Sequence, residues 1–191
     1  MKVVAVNGSA RKNGNTRILL QTALAEIEAE GIETELLSLA GKPVAGCIGC
    51  YKCFEKKNGL CAVEKDGANE VIARMSAADG LLMGSPTYFS DVTASMKGLI
   101  ERAGMVSRAN GHMFARKPGA AVVAVRRAGA NHVMSTINYF FLISQMMVVG
   151  SSYWPMGMGR EPGEVEKDEE GMETMRVLGR NMAWLLKKIH A

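Results

Sequence analysis

Apolar and polar positions change period several times along the chain, and each change marks an element. Val3 to Val6 is a short β-branched run that ends at Asn7-Gly8-Ser9, as a strand does where it meets a turn. After a polar, glycine-containing loop to Thr16, Ile18, Leu19, Ala23, Leu24 and Ile27 recur at three- and four-residue spacing, and Gly31 follows where a helix ends. That pattern predicts a helix with one buried face. Glu33 to Leu39 reads as a second strand. Ala68 to Ala78 carries Val71, Ile72 and Met75 on one helical face, and the unbroken apolar run Gly80-Leu81-Leu82-Met83-Gly84 follows as a third strand. Met96, Leu99, Ile100 and Ala103 place a helix within Val92 to Met105, and Pro118 separates it from a fourth strand, Ala120 to Val125. A helix over about Val133 to Met146, a fifth strand over Met147 to Tyr153 and a last helix over about Asp168 to Ile189 follow. The last helix aligns Met175, Leu178, Met182, Leu185 and Ile189 on one stripe. Its acidic start and its Lys187-Lys188 end complement the two poles of the helix dipole.

Strands that alternate with helices, and that are apolar without alternating, belong to a parallel sheet covered on both faces. Right-handed crossovers then connect them. Five such strands predict an α/β architecture, the doubly wound flavodoxin-like sheet of order 2-1-3-4-5. Ligands in such sheets bind outside the carboxyl ends of the strands at the switch point, so the loops after strands one, three and four are expected to converge on one site. We read residues 1–191 as one domain, with a cysteine-rich loop inserted at about 41–66 and the C-terminal helix at about 168–189.

Composition narrows the class without naming a ligand. The 191 residues are 48% hydrophobic and 22% charged, which excludes disordered, collagenous and low-complexity chains. A chain of this length buries roughly 70% of its unfolded surface, so disulfides are not needed to hold it together. The net charge of +4, from 23 basic and 19 acidic residues, is too mild and dispersed for a nucleic-acid stripe. It suits an anionic small ligand. The longest apolar stretch, Tyr139 to Val149, contains Ser144 and Gln145 and is shorter than the ~20 residues of a membrane helix. Met1-Lys2-Val3-Val4-Ala5-Val6 runs into a turn with no charged leader, so no secretion signal is expected. Four cysteines within 15 positions of such a chain point to metal or redox chemistry in a reducing cytoplasm.

Gly8-Ser9-Ala10-Arg11-Lys12-Asn13-Gly14-Asn15-Thr16 lies between the first strand and the first helix, where backbone amides and the helix dipole make an anion site. Ser9, Asn15 and Thr16 can donate hydrogen bonds, Arg11 adds a charge-assisted one, and Gly14 lets the backbone come close. The alternative is a solvated turn in which Asn15 or Thr16 merely caps the helix. The segment lacks the Gly-Lys-Ser/Thr ending of a Walker loop and the GxGxxG dinucleotide pattern, which leaves a mononucleotide phosphate. Residues 8 to 16 resemble the first loop of the NAD(P)H-dependent FMN reductase family, flavodoxin-like proteins. The resemblance extends to Ser85-Pro86-Thr87-Tyr88-Phe89 and to Met96-Lys97-Gly98-Leu99-Ile100-Glu101-Arg102, over about the first 150 residues. It implies that Ser9, Arg11, Asn15 and Thr16 hold the FMN phosphate and that Pro86, Thr87, Tyr88 and Phe89 contact the flavin ring. Core packing is the competing use of Tyr88 and Phe89.

Cys47-x2-Cys50-x2-Cys53-x7-Cys61 is the sharpest motif. Short x2 spacings let one loop supply several corners of a cubane cluster, whereas zinc sites more often pair two separated Cys-x2-Cys knuckles. Free thiols are the third possibility. The arrangement resembles that of the iron-sulfur flavoproteins, a branch of the same family, and so implies that Cys47, Cys50, Cys53 and Cys61 hold a 4Fe-4S cluster. The third loop, Arg126-Arg127-Ala128-Gly129, is less glycine-rich than the family leads one to expect. Arg126 can face the flavin or the 2′-phosphate of NADPH, or simply be solvated, and Gly129 supplies backbone freedom. His112, His132 and His190 form no ligand cluster, no G-x-S-x-G motif is present, and Gly157-x-Gly159 precedes no helix start.

The reading that results is an FMN-dependent oxidoreductase in which no side chain has to act as acid or base. Electrons pass between a reduced donor, NADH, NADPH or ferredoxin, and a small acceptor. The alternatives are a cluster-free NAD(P)H:FMN or quinone reductase and a flavodoxin-like electron carrier. The resemblance implies a homodimer or homotetramer.

Overall fold

The computed structural model describes residues 1–191. In chain order it contains β1 (Lys2–Asn7), α1 (Asn15–Ala29), β2 (Glu33–Ser38), α2 (Lys52–Lys56), α3 (Ala68–Ala77), β3 (Gly80–Pro86), α4 (Ala94–Ala109), β4 (Pro118–Val125), α5 (Ala130–Ile143), β5 (Met147–Val148), β6 (Met156–Met158) and α6 (Glu169–Ile189). The strands form one parallel sheet of order β2-β1-β3-β4-β5, with β6 also beside β4. This is the doubly wound flavodoxin-like arrangement that the sequence predicts.

The central strands are buried on both faces because alternate residues serve two cores. Val3, Ala5, Leu82, Ala120 and Val122 pack with Leu19, Leu20 and Ile27 of α1 and Met175, Leu178 and Met182 of α6. Val4, Val6, Leu81, Met83, Ala121 and Val123 face Ile72 and Met75 of α3, Leu99 and Ala103 of α4, and Ile137 and Phe141 of α5. Most predicted elements lie where their periodicity puts them, and the last helix begins one residue after Asp168, whose side chain caps it through the Gly171 amide.

The fifth strand differs from expectation. Only Met147 and Val148 pair with β4, at Pro118 and Gly119. The Val149 amide still donates to the Gly119 carbonyl at 2.9 Å; the chain then stands off over residues 150–154 and returns as β6 against Val123–Val125. Val148 and Val149 favour a strand, but the Gly150-Ser151-Ser152 run that follows does not, and Pro155 allows only its carbonyl to join, accepting from the Val123 amide at 2.9 Å. The excursion leaves a cavity of about 400 Å³ walled by Met134, Asn138, Val148 and Trp154. It contains none of the expected site residues. No helix is long and apolar enough to cross a membrane.

Candidate functional site

The loops after β1, β3 and β4 meet at the carboxyl edge of the sheet, and Thr93 staples the first two. Its hydroxyl donates to the Gly8 carbonyl at 2.7 Å and accepts from the Met96 amide as the cap of α4, while its own amide donates to Ser85 Oγ at 3.1 Å. The Gly8 amide donates to the Gly84 carbonyl at 2.8 Å. Within the first loop, Asn7 Oδ1 accepts from the Ser9 amide, Ser9 Oγ accepts from the Arg11 amide, and the Gly14 amide donates to the Arg11 carbonyl. This curls the chain ahead of α1. No side chain caps α1, so its positive end opens on the cleft.

The second loop turns tightly: Tyr88 and Asp91 exchange two backbone hydrogen bonds around Phe89 and Ser90, both left-handed with φ of 49° and 64°. A left-handed phenylalanine is strained backbone, of the kind found at ligand sites. Gly129, φ 88°, starts α5, and a Cβ there would lie 2.8 Å from Ser90 Oγ and 3.1 Å from Thr87 Cγ2. Only glycine lets the second and third loops touch.

The cleft between these loops measures about 220 Å³. Of the residues expected there, Ser9, Arg11, Gly14, Asn15, Thr16, Pro86, Thr87, Tyr88 and Arg126 line it. Phe89 and Gly129 do not: the Phe89 ring is fully exposed to solvent, and Gly129 shapes the loop behind. Asn15 lines the cleft, but its amide is committed elsewhere, donating to the Glu161 carbonyl at 3.0 Å and accepting from the Gly163 amide at 2.9 Å. Arg11 donates to the Arg160 carbonyl at 3.3 Å.

Gly159 and Arg160, which follow β6, also line the cleft, and sequence reasoning missed them. The Gly159 amide donates to the Val125 carbonyl at 2.9 Å, and a Cβ at Gly159 would lie 2.8 Å from Asn15 Nδ2. Gly157-x-Gly159 was the available signal. It serves a close approach to the first loop rather than a helix start.

Two hydroxyls test whether the cleft fits FMN. Thr16 Oγ1 and Thr87 Oγ1 are buried without a partner, and an unsatisfied buried polar atom costs about 1–3 kcal/mol. Both residues line the cleft, and with Arg11, Arg126 and Arg160 around them they suit a phosphorylated, hydrogen-bonding ligand.

The cysteine loop is a second centre. It turns through left-handed residues at Gly49, Tyr51, Lys57 and Gly59 and is held from outside by α4. The Val44 amide donates to Ser95 Oγ, the Cys47 amide to Glu101 Oε2 at 3.1 Å, and the Gly59 amide to Asn110 Oδ1 at 2.9 Å. A Cβ on Gly98 would lie 2.6 Å from the Val44 carbonyl oxygen, so the bare helix face is what lets the loop lie so close. Asn69 fixes Cys61 by accepting from its amide at 2.8 Å and donating to its carbonyl at 2.9 Å.

All four cysteines are free and line one narrow apolar cavity between this loop and α4. Cys53 and Cys61 are buried, Cys47 is half-buried and Cys50 is exposed. Burial pushes the Cys53 thiol up, its own amide and that of Phe54 offset part of this, and the nearby Cys61 and Cys47 raise it further. No three or more His, Cys, Asp or Glu side chains are arranged to hold a metal ion. Four cysteines lining one cavity are the donor set that a 4Fe-4S cluster would take.

A doubly wound sheet of order 2-1-3-4-5 whose switch-point loops enclose a cleft is the flavodoxin-like architecture. Residues 1–161 match the model of the family described as NADPH-dependent FMN reductase, and the chain belongs to that family. It is 40% identical over 196 residues to an iron-sulfur flavoprotein of Methanocaldococcus jannaschii, covering 99% of each chain. It is 29% identical to the iron-sulfur flavoprotein of Methanosarcina thermophila, covering 99% of this chain and 97% of that one. Among solved structures, an archaeal flavodoxin superposes with a TM-score of 0.64 at 16% identity over 98% of this chain and 99% of its own. RosB, with a bound riboflavin-phosphate intermediate, superposes at 0.75 and 19% identity over 100% and 80%.

Proposed function

We propose that this protein is an iron-sulfur flavoprotein that moves electrons between a reduced donor, NAD(P)H or ferredoxin, and a small acceptor. FMN would be held by Ser9, Arg11, Thr16, Thr87 and Arg126, and a 4Fe-4S cluster by Cys47, Cys50, Cys53 and Cys61. The observation that carries the flavin half is the pair of buried, partnerless hydroxyls of Thr16 and Thr87 in one cleft. Support for the cluster half comes from four free cysteines lining one cavity and from relatives named iron-sulfur flavoproteins.

Bound flavin supplies conversion between two-electron and one-electron chemistry, and the cluster supplies one-electron transfer. The chain's own task is to bind and orient. The α1 end and Arg11 neutralise phosphate, the Tyr88–Asp91 turn fixes the second loop, and Gly129 seats the third against it. Four reduced cysteines suit the cytoplasm, and a homo-oligomer is part of the proposal.

Anaerobic purification followed by flavin, iron and acid-labile sulfide assays tests the pair of cofactors. The expected result is one FMN with about four iron and four sulfide per chain. Flavin without iron or sulfide, even after reconstitution, would favour a cluster-free reductase. Steady-state oxidation of NADH and NADPH separates enzyme from carrier, and no turnover with either would exclude pyridine nucleotide as the donor.

A further inference from the structure

Arg102 is the only charged side chain that is buried, with none of its surface exposed. An unpaired guanidinium in that position costs several kcal/mol, so its partners say what it is there for. The Nη1 group donates to both oxygens of Asp66, at 2.8 and 2.6 Å, and reaches the Ala45 carbonyl at 3.5 Å. The Nη2 group donates to the Val63 carbonyl at 2.5 Å. The Nε–H donates to Cys61 Sγ at 3.3 Å. Asp66 is itself fixed by the amides of Ala45 and Ala68, at 3.0 and 3.2 Å.

Every oxygen in this network is an ordinary match for a guanidinium; the sulfur is not. A neutral thiol is a weak acceptor, a poor use of a buried cationic N–H. A thiolate bound to iron is a strong one. Hydrogen bonds to the ligating sulfurs and the local charge are what set the potential of an iron-sulfur cluster. We propose that Arg102 is the positioning residue of the cluster: its Nε–H holds the Cys61 sulfur as one corner and raises the cluster's reduction potential, while Asp66 fixes the plane of the guanidinium. The proposal rests on the cysteines being cluster ligands. Lysine cannot replace the arginine here, because an ammonium has no planar fork to engage Asp66 and the sulfur together.

The test compares the full-length wild type, Arg102→Lys and Asp66→Asn after anaerobic reconstitution with iron and sulfide. Flavin, iron and sulfide per chain are measured, followed by redox titration of the cluster by absorbance and low-temperature electron paramagnetic resonance. FMN content and the flavin midpoint are expected to be unchanged. The cluster midpoint is expected to move negative in Arg102→Lys, which loses the N–H on sulfur, and positive in Asp66→Asn, which keeps it and loses the countercharge. Partial loading does not blur this, because the cluster signals report loaded molecules only. Cluster midpoints equal to wild type in both variants, or retention of FMN with no loading in either, would confine Arg102 to a structural role and overturn the proposal. A wild type that takes up no iron and sulfide overturns the reading beneath it.

Discussion

The flavin cleft and the cysteine loop are built in opposite ways. The cleft is made at strand ends, from segments that are each continuous in sequence and that the sheet brings together: residues 9–16, 86–88, 124–126 and 159–160. Its framework is the buried sheet. The cysteine loop has almost no regular structure between β2 and α3 beyond the short α2, and side chains far along the chain, from Ser95, Glu101, Arg102 and Asn110 of α4 and its end, hold it down. One centre follows from the fold; the other is docked onto it. The two should therefore fail separately.

The largest separation is expected from Arg102→Met. Removing one partner of a buried ion pair costs about 3–5 kcal/mol, and since Asp66 retains some exposure, a loss of about 3 is expected in urea unfolding. Cluster loading should fall with it while FMN titration of the folded protein is unchanged; a parallel loss of flavin affinity would break the comparison. Thr93→Ala strikes the other side. It removes a helix cap and the bond to Gly8, together about 2 kcal/mol. Loosening of the first two flavin loops should appear as weaker FMN binding with cluster loading kept.

Thr16→Val is subtler, since it removes a hydroxyl that has no partner in the ligand-free chain. Thermal stability without flavin should hold or rise slightly, and FMN affinity should drop about tenfold, the worth of one hydrogen bond to a charged group. The smallest effect concerns acid. Burial would raise the Asp66 carboxyl, but the Arg102 guanidinium and the amides of Ala45 and Ala68 outweigh it and hold it below its ordinary value. The unfolded chain then takes up the proton first, so this stabilisation is full above about pH 5 and fades as pH falls below about 4. Unfolding curves of wild type and Asp66→Asn should converge over that range; curves that stay parallel would show the carboxylate is not what secures the loop.

Local patterning accounts for what could be read in advance. The three buried parallel strands β1, β3 and β4 and the amphipathic helices are legible because period and burial coincide, and the first loop because its glycines, polar groups and arginine occupy one stretch. The role of α4 was hidden. Its apolar stripe of Met96, Leu99, Ile100 and Ala103 identifies a helix, while Gly98, Glu101 and Arg102 carry no periodic signal for the loop they grip some fifty residues away. Tertiary contact, not propensity, decided those positions. Gly159 and Arg160 were hidden likewise, because they reach the cleft from the far side of β6.

The interrupted outer margin of the sheet affects how copies of the molecule meet. A full-length fifth strand would offer incoming chains an unbroken row of amides and carbonyls, the usual template for edge-to-edge aggregation. Here that margin consists of a two-residue and a three-residue strand, separated by residues 150–154 standing off and by Pro155, which has no amide hydrogen to lend. A stray strand finds too short a ladder to extend, so the sheet has a built-in end stop at the edge where a parallel array could otherwise continue to grow.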